Sequence, residues 1–330
     1  MPNMEGKAGI DSVIDVIVDY CHTSNTFTTK EVVRLLQTRL IRGRSLEVES
    51  EDVCPEGATN YILVDRHNLL ETGIEEISGL EDPLLTLDVQ FYGEQAEDYG
   101  GPRKEFFRLI LLEIKEKYFE DGIRELLADE YTTIGTIMGL SILQNGKLPQ
   151  FLSDFIMHEI FIQEQKSECI KNLIWGLKKV AIYQICCKIP TVQEIFKPNP
   201  FSKLTLKKIN ALLVPYLSPV GSNRRKYETE VYTLFSKYMK EIAAGRRGDI
   251  KLEWILRFGT ATDEEPLLGF KLAPKIRFTE MTNSFLPTAN TCINVITIPY
   301  ASNNTQQLPA AEVLFALYDE AFSSAHFGHI

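Results

Sequence analysis

The sequence of 330 residues predicts an α+β fold, on three observations. Helical periodicity dominates residues 131–215, where apolar side chains recur every three or four positions. Three short strand candidates follow, at 252–258, 276–279 and 293–298, each rich in β-branched or aromatic residues. A stretch of turn-forming residues, 218–223, separates the mainly helical part from the part that contains these strands.

The N-terminal segment predicts two helices over residues 10–42. The second helix begins after Thr28, and Glu31 stands three residues further on, which is the spacing of a capping box. The next segment, 43–57, is acidic and contains turn residues rather than a periodic apolar pattern. We therefore expect residues 1–57 to form a helical extension followed by an acidic linker.

Two strands and a long helix are predicted next. The strand candidates are 61–64 and 84–92, the second of which alternates apolar and polar residues. Pro102 then stands where the first turn of a helix tolerates a missing N–H. Phe106 and Phe107 open the wide apolar face of this helix. We expect at least one of these two rings to lie in the core.

Beyond the break at 218–223, the sequence predicts a helix over 227–243 and a final amphipathic helix over 309–321. A shorter helix, 204–213, is predicted just before the break. Because the break is rich in Gly, Pro and Ser, it is the strongest candidate for a domain boundary after residue 57.

Composition excludes several classes of protein. The formal charge is −10, and the small basic clusters near 224 and 246 form no long stripe, so nucleic acid is not an expected partner. Residues 1–9 lack the apolar core of a signal peptide. Lys178 and Lys179 interrupt the longest apolar stretch, 170–187, so no membrane span is expected. We expect an intracellular protein, cytoplasmic or nuclear.

Six cysteines are scattered without a C-x-x-C pair, which favours reduced thiols over a disulfide framework. Cys186 and Cys187 stand among apolar neighbours and are predicted to be core residues. A mixed metal site from Cys21, His22 and Cys54 is an alternative role for two of these cysteines. Without a metal-binding pattern, we expect neither a metal nor a cofactor.

Cys292 stands in a different environment, a turn rich in Thr and Asn just ahead of an apolar strand. Asn290 and Thr291 precede it, and Asn294 follows. Two interpretations are open. Cysteine is among the most buried residue types, so Cys292 could be a small core residue at a strand edge. Polar neighbours favour the other interpretation, an accessible thiol that carries out acyl transfer.

Ordered motifs over residues 60–330 resemble those of the HECT-type ubiquitin ligases. They begin with a segment similar to the signature of that family's N-terminal lobe and end with its active-cysteine turn. The matching residues are Phe91–Glu94, Asp98, Gly100-Gly101 and Arg103–Phe107, then Leu256–Phe258, Pro266 and Gly269-Phe270, then Pro274 and Ile276–Phe278, then Leu286-Pro287, Ala289, Thr291-Cys292 and Asn294, then Pro299-Tyr300.

The resemblance implies a bilobal fold, with a mainly helical N-terminal lobe over 58–217 and a smaller α/β catalytic lobe over 224–330. Residues 218–223, with Gly221, would be the hinge between the lobes. Cys292 would accept ubiquitin from a conjugating enzyme as a thioester and pass it to a substrate lysine. Ubiquitin, the conjugating enzyme and a protein substrate are thus the expected partners, with Asn290, Thr291 and Asn294 supporting the thiol. The family often places a functional phenylalanine at the fourth position from the end, and Phe327 has that position.

The chain departs from the family pattern in three places. Asn290 replaces a frequent histidine, and the segment 258–261 lacks the usual Thr-Gly order. The span 132–217 is short for the N-terminal lobe, which implies a shortened lobe without the inserted subdomain that docks the conjugating enzyme. A rival hypothesis is therefore a HECT-like module that binds ubiquitin or a protein without transfer. A Cys–His hydrolase, with His326 or His329 as base, is a further alternative.

Overall fold

The computed structural model describes residues 5–50, 54–94, 98–199 and 203–323, with side chains from residue 9 onward. The chain divides into two compact units near residue 200. The N-terminal unit comprises Met1–Glu47, Cys54–Pro200 and Pro266–Gly269, and the C-terminal unit comprises Val48–Val53, Phe201–Glu265 and Phe270–Ile330. Each unit has its own hydrophobic core. The prediction of an α+β fold is confirmed, since the described residues combine many helices with small sheets.

The N-terminal unit is mainly helical, with one small sheet among its described residues. Its elements in chain order are α1 (Glu5–Ser24), α2 (Thr29–Leu40), β1 (Asn60–Val64), α3 (Leu69–Ser78), β2 (Leu87–Phe91), α4 (Gly101–Tyr118), α5 (Tyr131–Leu143), α6 (Asp154–Phe161), α7 (Glu168–Lys179) and α8 (Ile182–Lys188).

The two helices predicted for residues 10–42 are confirmed as α1 and α2. The hydroxyl of Thr28 caps α2 by accepting a hydrogen bond from the backbone N–H of Glu31, 3.4 Å away. The carboxylate of Glu31 pairs with Arg34 on the next turn. Val33 and Leu36 are fully buried on the inner face of α2. The cap therefore fixes where the helix begins, and the apolar stripe fixes which face packs.

The strands β1 and β2 are parallel neighbours, in register from Asn60 opposite Leu87 to Val64 opposite Phe91. Helix α3 connects them, as a parallel pair requires. Helix α4 begins at Gly101 with Pro102 in its first turn, as predicted.

Phe106 and Phe107 are both fully buried, although they are adjacent in sequence. Their ring centroids lie 5.4 Å apart. Phe106 approaches Gly73 of α3, and Phe107 approaches Gly146 after α5. Two neighbouring rings can both be buried because α4 is covered over a wide face. The prediction that at least one ring lies in the core is therefore confirmed for both.

The segment predicted as an acidic linker has no helix or strand in its described part, but it is packed. Glu47 is buried and pairs with Lys104 at 3.1 Å, while the Asn145 amide donates to the same carboxylate. The Arg103 guanidinium donates to the backbone carbonyl of Leu46. Buried charges are stable only when they are paired in this way. The buried ion pair therefore fastens this stretch to the start of α4.

The C-terminal unit combines a mixed sheet with helices. Its elements are α9 (Leu206–Leu212), β3 (Val214–Pro215), α10 (Asn223–Ala243), α11 (Leu252–Thr260), β4 (Lys275–Glu280), β5 (Thr288–Asn290), β6 (Val295–Tyr300) and α12 (Ala311–Ser323). The predicted helices at 204–213, 227–243 and 309–321 are confirmed as α9, α10 and α12. Both ends of α9 and α12 are shifted, whereas α10 begins earlier than predicted and ends at Ala243 as predicted.

The strand predicted over 252–258 is wrong, because this segment forms the helix α11. Leu252, Ile255, Leu256 and Gly259 are buried, at the spacing of one helical face. Ala261 ends the helix in the left-handed conformation, with φ of 61°. Glycine usually occupies such a position. Here Ala261 adopts the same left-handed conformation, so the helix ends at this point although the usual Thr-Gly order is missing from 258–261.

The sheet of the C-terminal unit has the order β3-β4-β6-β5. Strands β4 and β6 are parallel, with Ile276 opposite Ile296, and both side chains are fully buried at the centre of the sheet. Strand β5 runs antiparallel to β6 at the edge. The predicted strand at 276–279 is confirmed within β4, and the one predicted from 293 begins two residues later.

Residues 218–223, the predicted hinge, lie within the C-terminal unit rather than at its boundary. The buried carboxylate of Glu228 accepts hydrogen bonds from the Ser218 backbone N–H and hydroxyl, at 2.6 and 2.7 Å. The hydroxyl of Ser222 caps α10. Gly221 has a left-handed φ of 90°, in open space. Whether this segment acts as a hinge stays a prediction.

Among the described residues, no helix is both long and apolar enough to span a membrane. Cys186 is buried as predicted, but Cys187 is exposed, so its prediction as a core residue is wrong. The two cysteines are adjacent on α8, and only Cys186 falls on the inner face of the helix.

Candidate functional site

The candidate site is a tight turn between two antiparallel strands. Asn290 ends β5 and pairs with Val295, the first residue of β6. Residues 291–294 form the turn that joins them, and Cys292 is the second residue of that turn. A hairpin of this kind fixes the position of its turn because strand pairing sets the register on both sides. The structure therefore brings together Asn290, Thr291, Cys292 and Asn294, the four turn residues that the sequence singled out.

Cys292 is partly exposed rather than buried, and so is Thr291 beside it. The backbone N–H of Cys292 donates to the side-chain oxygen of Asn290, 3.1 Å away. This bond closes an Asx turn, in which a short side chain replaces a backbone acceptor. The three residues of β5 are exposed, so solvent reaches the strand that leads into the turn. The interpretation of Cys292 as a fully buried core residue is therefore wrong.

Asn294 ends the turn in the left-handed conformation, with φ of 55°. Its side chain is 2% exposed, and its Nδ2 donates to the backbone carbonyl of Leu272 at 2.8 Å. Its own carbonyl accepts from the backbone N–H of Lys275 at 3.0 Å. The end of the turn is thus attached to the segment that leads into β4. Leu272 precedes Asn294 by 22 residues, and no local sequence signal indicates this contact.

The turn leads directly into the buried strand β6. Strand β6 is buried along most of its length, with Ile296 and Ile298 fully covered. Helix α11 approaches this strand so closely that a Cβ built on Gly259 would lie 2.6 Å from Cγ1 of Ile296. Pro287, just before β5, is buried. A partly exposed thiol on a polar turn is therefore held by a close-packed strand.

Exposure alone does not distinguish Cys292 from the other cysteines. Cys54 and Cys187 are exposed. Burial raises the pKa of the Cys21, Cys169 and Cys186 thiols, which disfavours their thiolates, the nucleophilic form. The hairpin turn and the surrounding motifs are what distinguish Cys292.

Other predicted site residues fall elsewhere. Phe327 lies outside the described residues, as do His326 and His329, the candidate bases of the hydrolase alternative. In the part of the chain that the structure describes, no group of three or more His, Cys, Asp or Glu residues is arranged to hold a metal. Cys21 is buried and Cys54 is exposed, which does not support the mixed metal site.

Comparisons with known proteins agree with the motifs of the C-terminal half. A family model described as "HECT-domain (ubiquitin-transferase)" matches residues 193–309, a segment that contains the Cys292 turn. The motifs at 91–107 lie upstream of this match, so their resemblance to the N-terminal lobe stays a prediction.

Curated proteins similar to this chain are also named as ubiquitin ligases. The chain is 27% identical over 168 residues to "Probable E3 ubiquitin-protein ligase HERC4" of Homo sapiens, covering 42% of this chain and 16% of the human protein. Its identity to the protein of the same name from Rattus norvegicus is 28% over 163 residues, covering 41% of this chain and 15% of the rat protein. The chain thus spans less than a fifth of the length of these relatives. The segment 193–309 is thus similar to the HECT domain of ubiquitin ligases, and it contains the Cys292 turn.

Proposed function

We propose that the protein is a ubiquitin ligase that carries ubiquitin as a thioester on Cys292. The observation that carries this proposal is the position of Cys292. It is a partly exposed thiol on a polar hairpin turn, within the segment that matches the HECT-domain model. Acyl transfer between carrier proteins requires a thiol that a second protein can reach. A turn held by the buried strand β6 meets that requirement, since it is both accessible and fixed in position.

The proposed reaction consists of two acyl transfers. The Cys292 thiolate attacks the thioester carbonyl that joins ubiquitin to a conjugating enzyme, and the thiolate of that enzyme leaves. The amine of a substrate lysine then attacks the new thioester, loses a proton, and displaces the Cys292 thiolate as an isopeptide bond forms. A thiolate suits both steps because it is a good nucleophile and also a good leaving group.

The partners in this proposal are ubiquitin, a conjugating enzyme and a protein substrate. They follow from the family, not from an interface visible in the structure. Nucleic acid has no part in the reaction. A cytoplasmic or nuclear location is part of the proposal, because reduced thiols are favoured in those compartments.

The experiment that tests the proposal is thioester formation with a charged conjugating enzyme. We expect a ubiquitin adduct that reductant removes. Cys292→Ala should abolish it, and Cys292→Ser should give either no adduct or one that reductant leaves intact, because an oxygen ester is not cleaved by thiols. Cys54→Ser and Cys187→Ser are matched controls, since both thiols are exposed but lie outside the turn. A labile adduct on the Cys292→Ala protein would overturn the assignment.

We further propose that the two units act as the two lobes of the HECT fold and that residues 218–223 contribute to their movement. Gly221→Pro should then slow transfer while each unit stays folded, because proline fixes φ near −65° and removes the N–H. Gly248→Pro is the matched control, since Gly248 also has a left-handed φ and open space around it. If both variants slow transfer equally, local strain explains the effect and the hinge role is lost.

Phe327 is proposed to act after loading. By the family pattern, this residue would orient the loaded catalytic lobe toward the lysine. Phe327→Ala should accept ubiquitin at the wild-type rate and release it to lysine more slowly, with an unchanged melting temperature. Equal rates of single-turnover discharge for the wild type and the variant would remove Phe327 from the mechanism.

A second candidate function is binding of ubiquitin or a protein partner without transfer. The observation in its favour is that the family match begins at residue 193 and leaves most of the N-terminal unit outside it. A module of this kind would bind ubiquitin, yet it would form no labile adduct on Cys292. The thioester assay described above therefore separates the two candidates.

A further inference from the structure

Asn294 is attached to neighbouring residues through both its side chain and its backbone. Its backbone is left-handed, its side chain is almost fully buried, and its Nδ2 donates to the carbonyl of Leu272 at 2.8 Å. The backbone N–H of Lys275 donates to its carbonyl oxygen. Side chain and backbone therefore both attach the end of the turn to the start of β4.

The remaining atom of the side-chain amide, Oδ1, is buried and has no hydrogen-bond partner among the described residues. The orientation of the amide is fixed, because the carbonyl of Leu272 can accept a hydrogen bond but cannot donate one. Leaving a buried acceptor unsatisfied lowers stability, as does a left-handed conformation in a residue other than glycine. Structural features that lower stability are concentrated at functional sites.

The turn is thus held at both ends by asparagine side chains. At one end, Asn290 accepts the N–H of Cys292. At the other end, the side chain of Asn294 donates to the carbonyl of Leu272, which lies in the segment before β4. Cys292 lies between these two attachments. Loss of the Asn294 attachment would leave the left-handed backbone possible but would free the turn from the segment before β4.

We propose that Asn294 is a positioning residue, whose side-chain attachment to Leu272 places the Cys292 thiol for attack on a thioester. This inference rests on the proposed ligase function and deepens it. Asn294 acts through the turn and contacts no substrate in this account. Its contribution concerns the geometry of attack, because a reacting thiol must be placed correctly as well as being ionised.

The test is Asn294→Gly, which keeps the left-handed backbone and removes only the side chain. Asn25→Gly is the matched control, because Asn25 is also left-handed, with φ of 51°, but is exposed between α1 and α2. We expect Asn294→Gly to lower the maximal rate of ubiquitin loading about 10- to 100-fold, without changing the conjugating-enzyme concentration that gives half of that rate. Asn25→Gly should load at the wild-type rate.

Two further readouts separate positioning from a general loss of structure. Alkylation of Cys292 by iodoacetamide needs no alignment with a second protein, so we expect it to be as fast in Asn294→Gly as in the wild type. In Asn294→Asp, a protonated carboxyl can donate to Leu272 but a carboxylate cannot. Burial raises the pKa of such a carboxyl, so its loading rate relative to wild type should recover as the pH falls from about 8 to about 6.

The outcomes are distinct. Wild-type loading by Asn294→Gly would overturn the inference while the proposed function stands. A loss of loading that matches a loss of folded protein, seen in thermal melts, would also overturn it, because Asn294 would then be only structural. If the wild-type protein itself accepts no ubiquitin, the proposed function fails, and the role of Asn294 in transfer fails with it.

Discussion

The close approach of α11 to β6 makes Gly259 a sensitive position, and Gly259→Ala tests it. A Cβ at residue 259 would lie 2.6 Å from Cγ1 of Ile296 and 3.0 Å from Cδ1. Carbon atoms in normal contact lie about 3.5–4.0 Å apart, so one element must move by roughly 1 Å. Ile296 is fully buried between Ile276 and Ala289 on the neighbouring strands, and it cannot easily give way.

Two opposing effects set the magnitude. Overpacking of a close-packed core costs about 1–3 kcal/mol. Replacing glycine with alanine inside a helix stabilises it by about 1 kcal/mol. We therefore expect Gly259→Ala to lower the free energy of unfolding by about 1 kcal/mol. If alanine raises the stability instead, helix α11 does not approach β6 as closely as the structure shows.

A double-mutant cycle isolates the steric effect. In an Ile296→Ala background the colliding atoms are gone, so Gly259→Ala should stabilise the protein by about 1 kcal/mol there. The change of sign corresponds to a coupling of about 2 kcal/mol, which is within the range for residues in contact. Urea unfolding of the four proteins, with equal m-values, measures it. An identical effect of Gly259→Ala in both backgrounds would show that residue 259 and Ile296 do not collide.

The other predictions concern the packing of each unit. Phe106→Ala and Phe107→Ala should each destabilise the N-terminal unit by about 3–5 kcal/mol in denaturant unfolding, since both rings are fully buried. Burial raises the pKa of Glu47, but Lys104, Asn145 and Arg103 together outweigh this effect and lower the pKa overall. The stability that ionised Glu47 contributes is therefore present above about pH 4.3 and should be lost as the pH falls further, with a smaller loss in Glu47→Gln. Glu228→Gln should cost about 1.5–3 kcal/mol in thermal melts by weakening charge-assisted hydrogen bonds; an unchanged melting temperature would contradict this.

The sequence predicted most helices because their apolar stripes and caps are local signals. Thr28 predicted the beginning of α2 correctly, since the capping bond joins residues only three positions apart. The segment 252–258 was predicted incorrectly because its β-branched and aromatic residues favour a strand in isolation. In the folded chain, the helical spacing of Leu252, Ile255 and Leu256 determines its structure, since that face packs in the core.

In the candidate site, too, local features were predictable from the sequence and tertiary contacts were not. The motif around Cys292 predicted a polar turn before a strand, and the structure confirms that arrangement. The attachment of Asn294 to Leu272 was not predictable, because it joins residues that are distant in sequence and leaves no periodic pattern. Likewise, the hydrogen bonds from Ser218 to the carboxylate of Glu228 are not indicated by the turn-forming residues of 218–223.

In the proposed mechanism, Cys292 accepts ubiquitin and then releases it to a lysine amine. A pulse-chase assay tests it most directly: the protein is charged with labelled ubiquitin, the conjugating enzyme is quenched, and free lysine is added. We predict that the label leaves a reductant-sensitive adduct mapped to Cys292 and appears on lysine, and that Cys292→Ala carries no label at either stage. A labelled adduct that lysine does not discharge, or that forms without Cys292, would contradict the proposed mechanism.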